Sequence, residues 1–75
     1  MPEPIRMRDF VVGGIDATGD MVQTVTPSTE GAYREDKIRR IQEGIARRRF
    51  QREHPHTGIT SQFWTQTYTV ERTSR

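Results

Sequence analysis

The sequence predicts a small α+β domain with the order β-β-α-β: an N-terminal hairpin, one long basic helix and a C-terminal strand. Three observations carry that expectation. A turn-forming run, Asp16-Ala17-Thr18-Gly19-Asp20, separates two stretches of strand-forming residues. Between Gly31 and His54 the isoleucines Ile38, Ile41 and Ile45 recur at spacings of three and four, the period of a helix face. From Ser61 onward aromatic and β-branched residues alternate as in a pleated strand.

Taken in order, residues 1–5 hold two prolines and read as a flexible tail, leaving 6–75 as the single domain. Arg6 to Ile15 is the first strand, centred on Phe10, Val11 and Val12. Gly13-Gly14 weakens its end, or marks a bulge or a close backbone approach. In the turn, Gly19 is placed to take positive φ and both aspartates to bond local backbone. Met21 to Thr26 returns as the second strand, and Pro27 is expected to end it.

Ser28 or Thr29 then supplies the helix N-cap. Acid precedes base by four residues at Glu30–Arg34, Glu35–Arg39, Asp36–Arg40 and Glu43–Arg47, the favourable order on a helix. Gly44 marks a kink or a place where another backbone approaches. Phe50 lies off the isoleucine face of a straight helix, so either the helix bends or ends before it or it points at a partner. Pro55 stops the helix, and His54 to Thr60 is loop. The last strand, Ser61 to Thr73, puts Gln62, Trp64, Gln66, Tyr68, Val70 and Arg72 on one side. Ser61, Phe63, Thr65, Thr67, Thr69 and Glu71 take the other. In this reading Trp64 and Tyr68 meet the isoleucines of the helix.

Composition limits the function. With 75 residues, 31% of them hydrophobic and no cysteine, the core is thin and has no disulfide to constrain it. Marginal stability is expected, with part of the order supplied by a partner or by self-association. No apolar run reaches the length of a membrane span, and the N-terminus has no signal-peptide pattern, so the expected setting is a cytoplasm, a host's cytoplasm or virion included.

The net charge of +2 hides a polarity. Residues 1–33 carry two bases against five acids, −3, whereas residues 34–54 carry eight bases against four acids, +4. Eleven of the twelve bases are arginine, the side chain suited to bidentate pairing with carboxylate or phosphate.

Arg47-Arg48-Arg49, followed by Arg52, is the strongest chemical feature. It suits an acidic protein surface or a phosphate backbone, and equally a solvated helix end that complements the macrodipole. His54-Pro55-His56 offers two imidazoles, too few for a metal site, and no cofactor is called for. The glycines match neither nucleotide-binding fingerprint. No nucleophile motif exists, and the helix carboxylates lie where burial would not tune them, so no enzymatic activity is expected.

The sequence therefore points to a non-enzymatic interaction or structural protein, docking on the acidic surface of a larger assembly such as a viral particle or multisubunit complex. Arg39, Arg40, Arg47, Arg48, Arg49 and Arg52 would supply charge-assisted contacts, with Phe50, Trp64 and Tyr68 as aromatic anchors. The threonine-rich C-terminal strand could also add to a partner's sheet edge. The alternatives are a small nucleic-acid-binding or regulatory protein using the same arginines on phosphate, and a protein inhibitor of another enzyme.

Overall fold

The computed structural model describes residues 3–71. Within them the order β-β-α-β holds, with two of its elements broken: β1 Ile5–Ile15, β2 Met21–Thr29, α1 Glu30–Arg34, α2 Asp36–Glu53, β3 Ser61–Trp64 and β4 Tyr68–Val70. β1 is the centre of an antiparallel sheet. β2 lies along one edge of it, and β3 and β4 follow each other along the other. The helices cover one face.

The hairpin turn forms as its residues dictate. One Asp16 carboxylate oxygen accepts from the backbone N–H groups of Thr18 (2.9 Å) and Asp20 (3.0 Å), and Gly19 sits at φ +88°. The Thr18 hydroxyl, 2.6 Å from the same oxygen, leads the interactions that hold the Asp16 carboxyl below its ordinary range. β1 begins at Ile5, which faces Val70, one residue before the expected start at Arg6. β2 runs through Pro27 to Thr29 instead of stopping. As an edge strand it needs no N–H donor on its outer side, where a proline is tolerated.

Thr29 caps α1, its side chain accepting from the Ala32 N–H. The expected single helix is interrupted at Glu35, whose ψ of 121° is extended. The interruption lets Tyr33 on α1 and the Ala46–Phe50 stretch of α2 reach the same side of the sheet. α2 then continues past Gly44 without a break, and no backbone approaches there; the nearest groups are the Arg48 and Arg47 guanidinium ends.

The face α2 turns inward is not the isoleucine face. Ala46 and Phe50 are fully buried, packing with Phe10 and Val12 and flanked by Val22, Ile59 and Trp64. Ile41 and Ile45 remain 51% and 41% exposed. The reason lies in the sheet. Gly14 lacks a side chain, and a Cβ there would lie 3.3 Å from the Phe50 ring, 2.9 Å from Thr57 Cγ2 and 2.2 Å from the Gly58 carbonyl oxygen. Phe50 and the following loop occupy that notch, which fixes the rotation of the helix. The close approach expected at Gly13-Gly14 is therefore made at Gly14.

The C-terminal strand is not continuous either. Phe10 faces Trp64 and Met7 faces Tyr68, so four steps on the C-terminal side match three on β1. One residue is extra, a bulge, and it reverses the face of everything after it. Thr65 anchors the break: its N–H donates to the Asp9 carbonyl (2.9 Å), and its hydroxyl accepts from the Asp9 N–H (3.0 Å). Trp64 consequently faces the helices and Tyr68 faces away from them, correcting the expectation that both meet the isoleucines. The part of that expected strand at residues 72–73 lies outside the described residues.

Candidate functional site

Two surfaces remain uncommitted to the core: the outward side of α2, and the face of the sheet turned from the helices. The outward side of α2 follows from the rotation set by Phe50. Positions 37, 41, 44, 48 and 52 then point to solvent, with Arg40 and Ile45 beside them. The result is a row of Lys37, Ile41, Ile45, Arg48 and Arg52, apolar at its middle and basic at both ends.

The nine residues singled out from the sequence are distributed over several environments. Arg48 and Arg52 are exposed and have no acidic partner among the described residues. Arg40 lies 3.1 Å from Asp36 but its side chain stays 77% exposed. Arg47 donates to Gln62 Oε1 at 3.1 Å, tying the helix to β3. Arg39 and Arg49 are held on the helix flanks by Asp36 and Glu53. Phe50 is a core residue, which removes it as an anchor for a partner.

Trp64 is engaged within the domain. Its indole N–H donates to Glu43 Oε2 at 2.7 Å, and its ring packs 5.0 Å from Phe10 and 4.9 Å from Tyr33. Arg8 closes this stack, lying 4.1 Å over the Tyr33 ring. Of the expected helix pairs, Glu30–Arg34 (3.2 Å) and Asp36–Arg40 form. Glu35–Arg39 gives way to Asp36–Arg39, and Glu43 serves Trp64 instead of Arg47. Glu30 also binds Arg6 at 3.0 Å. At the far end of α2, Glu53 accepts from the Thr24 hydroxyl at 2.7 Å and pairs with Arg49 at 3.3 Å. The Thr24 bond is the main reason its carboxyl sits below the ordinary glutamate value.

Tyr68 belongs to the opposite face, where its hydroxyl donates to Asp9 Oδ1 at 2.7 Å; that bond raises the phenol's pKa. Sequence reasoning missed Ile41 and Ile45 as surface residues because their spacing is that of a core stripe. The signal that could have found them is the basic residues beside them, Lys37 and Arg48, at helical spacing from Ile41. His54, weighed as half of a metal pair, packs its ring 5.0 Å from Phe50. Among the described residues no helix is long and apolar enough to cross a membrane.

Comparison of the chain with family models, with curated proteins and with solved structures finds no match in any of the three.

Proposed function

We propose that this chain is a non-enzymatic interaction protein that docks, through the outward side of α2, on an acidic protein surface of a larger assembly such as a viral particle or multisubunit complex. The observation that carries the reading is the pair of exposed isoleucines, Ile41 and Ile45, framed by Arg40, Arg48 and Arg52. Desolvating two isoleucines supplies affinity, while the Arg48 and Arg52 guanidinium groups, without an acidic partner among the described residues, and the largely exposed Arg40 favour carboxylates at the rim. The mixture separates this surface from a plain solvated helix end, which has no need of isoleucine. It also differs from a phosphate-binding groove, where bases interleave with aromatic side chains. The setting that goes with this reading is a cytoplasm or a virion.

The test is capture on immobilised protein from an extract of the native source, with and without nuclease, repeated with Arg48→Glu/Arg52→Glu and with Ile41→Asp. The expected result is a protein partner that survives nuclease and is lost with both variants, each of which keeps the wild-type circular dichroism. Capture that disappears with nuclease, and whose log affinity falls linearly and steeply with log salt, would overturn the reading in favour of nucleic acid. A captured enzyme whose turnover stops on binding would make the chain an inhibitor instead.

A further inference from the structure

The sheet distributes its side chains in an unusual way. Along β2 the residues turned toward the helices are Val22, Thr24, Thr26 and Ser28, and the last three are buried. Those turned away are Met21, Gln23, Val25, Pro27 and Thr29. A sheet with one face on the core and one in water shows the reverse pattern, apolar inward and polar outward. Burying these hydroxyls has a cost, visible at Thr26, whose Oγ1 has no hydrogen-bond partner among the described residues. The register of nine paired positions between β1 and β2 leaves no doubt about the faces, since a slip of one residue would exchange them.

The outward face is apolar across three strands. Val25, Val11 and Phe63 form one row in register, and Val11 is buried between its two neighbours although no helix lies over it. Ile15 and Met21 form a second row at the hairpin end. Tyr68 opposite Met7 and Val70 opposite Ile5, brought to this face by the bulge, extend it at the other end. Met21 is 85% and Phe63 52% exposed. The strands place one charged side chain on this face, Asp9, and the Tyr68 hydroxyl occupies one of its oxygens.

We infer that this face is the interface of a homodimer in which two copies pack sheet against sheet. The occupant follows from area and charge. The exposed parts of Ile15, Met21, Val25, Phe63, Tyr68 and Val70 amount to roughly 600 Å², and the polar side chains between the rows bring the face close to the about 800 Å² per partner of a stable interface. Apart from Asp9, whose carboxylate is engaged by Tyr68, the face carries no charge, so it gives an acidic or basic partner little to pair with and meets its own copy with little repulsion. Two such faces about 10 Å apart form an aligned sandwich, the central row of one copy packing on that of the other in an isologous contact. The second sheet supplies the layer that a core of Phe10, Val12, Ala46 and Phe50 lacks. Both α2 helices then lie on the outside, so the dimer presents two basic surfaces in opposite directions.

The experiment is the molar mass of the full chain by analytical ultracentrifugation across a concentration series, for wild type, Val25→Arg and Met21→Lys. Wild type is expected to be a dimer at micromolar concentration. Val25→Arg should weaken dimerisation about a hundred-fold or more, since it leaves a charge buried without a partner. Met21→Lys, at a position too exposed to disturb the monomer, should weaken it less while keeping the circular dichroism of wild type. Arg48→Glu/Arg52→Glu should leave the dimer intact, so failure of the helix reading and failure of this one are distinguishable. A wild-type monomer throughout the series, open-ended oligomers, or a dimer indifferent to both sheet variants would overturn the inference.

Discussion

The two faces of one sheet are built on opposite principles. The helix-covered face combines a few large apolar groups with polar groups that, Thr26 aside, are bonded, as Thr24 is to Glu53 and Trp64 to Glu43. The opposite face sets apolar rows between exposed polar side chains such as Gln23, with one side-chain bond, Tyr68 to Asp9, between its strands among the described residues. Polar groups buried with partners specify one arrangement, because a shifted helix would leave them unpaired. Apolar rows specify burial without dictating geometry. The first face fixes the monomer, and the second supplies the adhesive surface.

The largest expected contrast between the faces is Phe50→Ala against Phe63→Ala. Phe50 fills the space above Gly14, and its truncation should cost about 3–5 kcal/mol, much of the stability available to a chain this short. Phe63→Ala, measured by urea denaturation at dilutions that keep the chain monomeric, should cost less than about 1 kcal/mol. Equal losses would break the comparison.

The adjacent glycines give the next test. Gly14→Ala drives a methyl into the Gly58 carbonyl and should destabilise by about 1–3 kcal/mol. Gly13→Ala meets the Ser61 hydroxyl at 2.8 Å, a group that can rotate away, and should cost less than half as much.

Trp64→Phe keeps the aromatic stack and removes the N–H to Glu43, an expected loss of about 1–2 kcal/mol in the same assay. Thr26→Val preserves shape while removing an unpartnered buried hydroxyl, and should stabilise the protein by about 1 kcal/mol. A destabilised Thr26→Val would show that the helix-covered face needs that hydroxyl.

The smallest effect is on pH dependence. Because the Glu53 carboxyl is depressed in the folded state, its contribution to stability is fully present above the ordinary value of 4.5. It is lost as pH falls below that value and through the lower native one. Thr24→Val should flatten this part of the stability profile, read from thermal midpoints across acid buffers.

Much of the local structure was legible in the sequence. The hairpin turn with its Asp16 bonds and the positive φ of Gly19, the Thr29 cap, the stop before Pro55 and the start of β3 at Ser61 all depend on a few neighbouring residues. The arginines of the candidate surface were legible as a group, but not their division into free and paired members. Arg47 shows why: its expected partner Glu43 accepts from the Trp64 indole, and Arg47 donates to Gln62 of β3 instead.

The rotation of α2 is what the chain's own periodicity could not determine. The isoleucines and the Ala46–Phe50 pair are both valid helical stripes, and local pattern favours the more apolar one. The choice between them was made by Gly14, far away in sequence, because a fully buried phenyl ring needs a notch and that glycine provides it. The faces of Trp64 and Tyr68 were decided in the same way, by the bulge at Thr65 that its bonds to Asp9 hold in place. The sequence by itself determined the elements and their order, since turns, caps and alternation act between near neighbours. Tertiary structure alone decided which side of each element is covered, since shape complementarity and register are properties of pairs of elements.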